Sequence, residues 1–185
     1  MNILAIGCHP DDVEIACSGT LAKCVKRGDK VIVCHVSNGN LGHVIIPPDE
    51  LAVIRKNEAK KAGSLAGIEV ICADFEDLNI YDNNKEARER IIDVIRYANP
   101  DVIITHNPDD YMPDHTAVSR LVFDASFAAT LPNYTNYPHK FSSPDGEPAK
   151  LVPIYYMDTL AGVNFVPDEF VDISDEIDLK IEMLE

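Results

Sequence analysis

Short apolar runs alternate with longer amphipathic stretches through the first 105 residues, and this alternation constrains the fold more than any other feature. Residues 2–7 (NILAIG) read as a strand, followed by a loop and a helical pattern from about Asp12 to Arg27. Residues 30–36 (KVIVCHV) predict a second strand, Asp49 to Leu65 a second helix, and Glu69 to Cys72 a third strand. A helix from about Lys85 to Ala98 then leads to a fourth strand, Asp101 to Thr105. Units in this order build a parallel sheet through right-handed crossovers. The expected fold class is α/β, Rossmann-like and doubly wound, a mainly parallel sheet with helices on both faces.

Two loops carry the chemistry. GCHPDDVEIACSGT packs His9, Asp11, Asp12 and Glu14 behind the first strand, and THNPDDYMPDHT crowds His106, Asp109, Asp110, Asp114 and His115 behind the fourth. Taken alone, His-Pro-Asp-Asp is an ordinary turn, because Pro restricts φ and Asp caps the next helix. In the commonest doubly wound order, however, strand four lies beside strand one, and ligands bind where the strand order reverses. His9 directly follows strand one and His106 directly follows strand four, so both loops are expected at one crevice. Two histidines and a carboxylate suit a three-ligand zinc site with an open position. The turn GCHPDD lacks the G-x-G-x-x-G of a dinucleotide site, and its carboxylates would repel phosphate.

The motif H-P-D-D-x-E with the small-residue G-T after it, and the later P-D-H opening a helix, resemble the PIG-L/LmbE family of zinc-dependent N-acetylglucosaminyl deacetylases. The resemblance extends to Arg55-x-x-Glu58, the strand around Leu151 to Tyr156, and PDEFVDISDEIDLKIEML. It implies His9, Asp12 and His115 as ligands of Zn2+, or of another divalent transition metal, and Asp11 as the base. It also implies removal of acetyl groups from amino sugars or their conjugates. At Met112-Pro113-Asp114-His115 the chain departs from the usual H-P-D-H. The histidine replaced by Met112 is the one assigned to the oxyanion or the leaving amine, in contact with the acid matching Asp114, which the resemblance implies as a catalytic residue. A thioether serves neither role, which leaves His106 or a twice-acting Asp11 as proton donor.

Arg55 matches a family position near substrate, while as an i,i+3 partner of Glu58 it also reads as an exposed helix pair. Ser37, Asn38, Asn40 and Gly42 are placed to line a sugar pocket, with Asn38 the chosen contact, or simply form a turn. Glu14 either supports the ligand loop or serves as an N-terminal helix acid. His35, His43 and His139 lack partner spacing and read as structural or exposed. Cysteines at 8, 17, 24, 34 and 72 form no C-x-x-C pair and read as reduced; Cys8 and Cys17 are near enough to be alternative ligands.

A net charge of −15 argues against nucleic acid and anionic membranes and fits a small neutral or zwitterionic substrate. With no leader or long apolar span, the expectation is a soluble, cytoplasmic protein. Residues 1–185 read as one domain, short at its C-terminus for the family. Residues 130–149 read as a lid or partner surface in which Tyr134, Tyr137 and Phe141 stack on a sugar or a second subunit, leaving a homo-oligomer open. A final helix from Ser174 or Asp175 places Ile177, Ile181 and Leu184 on one face. The favoured function is N-deacetylation of an amino-sugar conjugate. The alternatives are a metal-binding protein of the same fold with weakened or lost catalysis, and a hydrolase of a different amide or ester.

Overall fold

The computed structural model describes residues 1–134 and 147–185. In chain order the elements are β1 (Asn2–Gly7), α1 (Asp12–Lys26), β2 (Lys30–Ser37), α2 (Pro48–Ala66), β3 (Glu69–Phe75) and α3 (Lys85–Ala98). They continue with β4 (Val102–His106), α4 (Pro113–Ala128), β5 (Ile154–Met157) and α5 (Ile177–Leu184). The strands form one sheet in the order β3-β2-β1-β4-β5, and every neighbouring pair is parallel. The expected α/β architecture is therefore the one observed.

The strands read as continuous apolar runs because the central ones are buried on both faces. Leu4 and Ile6 of β1 pack with Ile91 and Ile95 of α3 and Leu121 and Val122 of α4. Ile3 and Ala5, pointing the other way, pack with Val13, Cys17 and Leu21 of α1, Ala62 and Ala66 of α2, and Met183 of α5. Helix ends follow local chemistry. Pro48 and Pro113 open α2 and α4, where a missing N–H costs nothing. The Asn84 side chain accepts the Ala87 N–H at the start of α3.

Several boundaries differ from the sequence reading. β3 runs on to Phe75, which pairs with Ser37 beyond an irregularity in the ladder. His106 is the last residue of β4 rather than the first of the loop. Ile177, Ile181 and Leu184 are exposed, whereas Leu179 and Met183 of α5 face the core. Both stripes satisfy helical spacing, and packing against α1 and α2 selects the second. Tyr134 packs on the core, and its carbonyl accepts from Arg96; Tyr137, His139 and Phe141 lie outside the described residues. Among the described residues, no helix is long and apolar enough to cross a membrane.

α2 approaches β3 closely at Gly63. A Cβ there would press on the Val70 Cγ2 methyl and lie 2.9 Å from the Ile68 carbonyl oxygen, which is backbone and cannot swing away. Gly63→Ala should destabilise the protein by about 1–3 kcal/mol through overpacking, partly offset by about 1 kcal/mol of helix propensity. Urea denaturation checks this, and an unchanged midpoint would show that α2 can shift away from β3.

Candidate metal centre

Pairing of β1 with β4 brings the two acidic loops to one place. His9 Nδ1, Asp12 Oδ2 and His115 Nε2 form a triangle with all three sides at 3.3 Å. Tetrahedral zinc, with bonds of roughly 2.0–2.1 Å, holds its ligand atoms about 3.3 Å apart. The donor set therefore matches three corners of such an ion in both chemistry and spacing.

Two more carboxylates orient the imidazoles. His9 Nε2 lies 3.2 Å from Asp114 Oδ2, and His115 Nδ1 lies 3.0 Å from Asp110 Oδ2. An ionised carboxylate only accepts, so each ring donates on that side and turns the lone pair of its other nitrogen into the triangle. Asp114 is buried and also accepts the Leu78 N–H at 2.8 Å, while Asp110 accepts the Met112 N–H at 3.0 Å. These contacts hold the rings before any ion arrives.

Burial opposes ionisation of Asp12, but His106, His115 and His9 around it outweigh that effect and hold its carboxyl far below the usual range. For His9, burial works downward, yet contact with Asp12 dominates and pushes the imidazole up to about 9. His115 rises for the same reason, with Asp110 adding to Asp12 against the cost of burial. The triangle thus attracts positive charge, supplied by protons or by a metal ion.

His106 stands apart from the other two histidines. Its Nε2 lies 3.3 Å from Asp12 Oδ2, so Asp12, His106 and His115 form another cluster of possible ligands. That nitrogen also accepts the Cys8 N–H at 2.8 Å, and the ring stacks on His115 with centroids 3.9 Å apart. Burial lowers its pKa. A neutral ring whose Nε2 accepts the Cys8 N–H is poorly placed as a general acid, and the buried ring packs as a wall against His115. Cys8 joins His9 and Asp12 in a further cluster of possible ligands, with burial pushing its thiol well above its ordinary value; burial pushes the Cys17 thiol up to about 12.

Asp11 points elsewhere. Arg55 donates to its Oδ2 at 2.7 Å, to the Pro10 carbonyl, and to Glu58 at 2.7 Å. The expected helix pair is present, but most of the guanidinium is spent on the HPDD turn rather than left free for substrate. Gly39, at φ 74°, makes this approach possible, since a Cβ there would lie 3.0 Å from Arg55 and 3.1 Å from Pro10. Burial raises the Asp11 pKa, and Arg55 partly counters it.

Residues 4–126 match the model of the PIG-L family, described as GlcNAc-PI de-N-acetylase. The chain belongs to the PIG-L family. A diacetylchitobiose deacetylase of Thermococcus kodakarensis is 30% identical over 188 residues, which cover 97% of this chain and 66% of that protein. The chain thus spans just under two thirds of the length of this relative. The N,N'-diacetylchitobiose deacetylase of Pyrococcus horikoshii superposes with a TM-score of 0.82 at 25% identity, covering 98% of this chain and 67% of the other. The 4-carboxy-2-hydroxymuconate hydratase GalB of Pseudomonas putida superposes with a TM-score of 0.85 over all of this chain and 78% of its own, and at 22% identity it shows the shared fold alone.

In this PIG-L chain the centre opens into a cleft of about 990 Å³ lined by His9, Asp11, Asp12, Arg55, His106, Asp110, Met112 and His115. Asn38 does not line it. Its backbone N–H donates to the Phe75 carbonyl at 2.8 Å, and Gly39, Leu41 and Gly42 reach the cleft instead. Asp114 does not line it either, being occupied by His9 and Leu78, so its expected place in direct catalysis gives way to positioning of a ring. Of the supporting groups, Asp110, His35 and Glu14 were visible in the sequence without their partners, and Asp77 was missed. Asp110 sits five residues before His115, a spacing that a tight loop folds back. His35 pairs with Glu14 at 3.1 Å, both buried, and ties β2 to the first turn of α1. Asp77 accepts from Gly39 and Leu41, and its distance along the chain left no signal.

The ligand assignment is testable by metal analysis after equilibrium dialysis. His9→Ala should lose stoichiometric zinc, whereas His106→Ala should retain it with affinity lower by about 10- to 100-fold, as for loss of an outer-shell partner. Zinc held tightly by His9→Ala would hand the third ligand position to His106. Because His9 and His115 must shed protons to ligate, the apparent affinity should rise with pH up to about 9.

Proposed function

We propose that this chain is a zinc-dependent hydrolase that removes the acetyl group from an N-acetylglucosamine-like amino sugar or its conjugate. The observation that carries this reading is the 3.3 Å triangle of His9, Asp12 and His115 opening on a cleft whose wall holds a further carboxylate, Asp11. Relatives named as diacetylchitobiose deacetylases support the amino-sugar class. Other divalent transition metals suit the same N and O donors. Zinc held there would supply a Lewis acid able to acidify water and polarise an acetyl carbonyl.

The remaining steps fall to side chains. Asp11 takes a proton from the attacking water and passes it to the departing nitrogen, so one carboxylate serves as base and then as acid. Partial burial lifts its pKa in the direction that eases the second transfer. Arg55 holds Asp11 Oδ2 and leaves Oδ1 for the reacting groups, which makes Arg55 a positioning residue. Asp114 and Asp110 keep His9 and His115 in the tautomers that ligate. Met112 lines the cleft and donates no proton. That one substitution favours a second reading, a metal-binding member of the fold with weakened turnover.

Acetate release from a panel of N-acetyl amino sugars separates the two readings. Asp11→Asn should keep its zinc and lower kcat by about 10²- to 10⁴-fold, the span of a general acid-base group. Turnover within a few-fold of the parent would remove Asp11 from the mechanism. Arg55→Ala should lower kcat more than it raises KM, since its work is to aim Asp11. The rate should fall as pH drops through the raised Asp11 pKa, because only the ionised carboxylate accepts a proton.

A further inference from the structure

The segments after β1 and β4 bring the metal-binding groups to the cleft, together with Ile15, Tyr111 and Met112. From the β2 side come Arg55 and Glu58 and a cluster of apolar side chains, Leu41 and Ile46 of the loop before α2 with Leu51 and Ile54 of α2 itself. Since β2 is the neighbour of β1 on the side away from β4, this apolar wall lies beside the triangle rather than across it.

The wall has a fixed backbone, and its side chains run from exposed Leu41 through half-buried Ile46 and Ile54 to buried Leu51. Buried Asp77 accepts the Gly39 and Leu41 N–H groups at 3.0 Å each, and its own N–H donates to Asn40 Oδ1 at 3.1 Å. Farther along, His43 Nδ1 accepts from Ile45 and Ile46 at 3.1 and 3.0 Å. Polar anchors thus shape the loop, while Leu41 stays 50% exposed and contributes little to the core. Apolar side chains held this way form a surface whose ordering cost is met before binding.

We infer that this wall is a subsite for an apolar, uncharged aglycone carried by the amino sugar. The inference rests on the deacetylase reading above and names its substrate class more closely. A cleft of about 990 Å³ lies near the top of the roughly 300–1,000 Å³ range of pockets that enclose drug-sized ligands, which leaves room beyond one sugar ring. Its charges disfavour an anionic group. Away from the His9, Asp12 and His115 triangle, where a bound ion would itself be positive, Arg55 is engaged with Asp11 and Glu58 and Lys180 donates to the Ile15 carbonyl at 2.7 Å, while Asp11, Glu58, Asp77 and Asp158 add negative charge. An alkyl or aryl group meets no such penalty and gains from covering Leu41, Ile46 and Ile54.

The test uses methyl, butyl and hexyl β-glycosides of N-acetylglucosamine, N-acetylglucosamine 1-phosphate, and the de-N-acetylated alkyl glycosides as products. Acetate release by the zinc-loaded chain is measured beside calorimetric binding of the products, which needs no turnover. Each methylene that becomes fully covered should tighten binding by about fourfold, so hexyl should exceed methyl by at least about tenfold in product affinity and in kcat/KM. Leu41→Ser and Ile46→Ser should each shrink the hexyl-to-methyl ratio, a comparison internal to each variant and independent of how much of it folds. Ratios within about twofold of one for the parent chain, or preference for the 1-phosphate, would overturn the subsite while leaving deacetylation standing. Absence of acetate from every glycoside would instead overturn the deacetylase reading, and the substrate class with it.

Discussion

The carboxylate of Asp12 is the point on which the site depends. Its Oδ2 accepts the His9 backbone N–H at 2.6 Å and lies 3.3 Å from nitrogens of His9, His106 and His115. Lone pairs at such distances repel unless a proton or a metal ion lies between them, so the folded chain keeps a strong local preference for positive charge. That preference is available only because β1 and β4 are neighbours, since Asp12 follows one strand and both His106 and His115 depend on the other. The parallel sheet is thus the means by which residues about a hundred positions apart come to surround one carboxylate.

Environment divides the labour among acids that are chemically alike. Asp12 is surrounded by imidazoles and ionises readily, which suits a ligand. Asp11, next in the chain, is partly buried against Arg55 and has a raised pKa, which suits a group that must both take and give a proton. Asp110 and Asp114 act through the far nitrogens of His115 and His9. Asp77 touches none of these rings and instead shapes the loop that walls the cleft. Each function comes from what the carboxylate faces.

The frame by itself decides less. A hydratase and a deacetylase both superpose closely on this chain, so the order of strands says where a site lies and not what it does.

Much of this was legible in the sequence. Apolar runs alternating with helical periodicity determined a doubly wound sheet, because strands buried on both faces leave no other pattern, and the two His/Asp loops fell at its switch point. The set of His9, Asp12 and His115 came from the family resemblance, and the structure brings these three side chains within 3.3 Å of one another. What the sequence could not decide were the contacts between loops. Asn38 and Gly39 are adjacent in the chain, yet only the second reaches the cleft, since β2 ends one residue before Asn38 and sets which way each points. His106, Asp114 and Arg55 all lay in the expected region, but the sequence held no sign that they hydrogen-bond to Cys8, His9 and Asp11. In α5, two helical stripes were equally periodic, and only the position of α1 and α2 chose between them. Local pattern sets the elements because it acts over a few residues; the aim of a side chain is settled by neighbours that tertiary packing alone brings into reach.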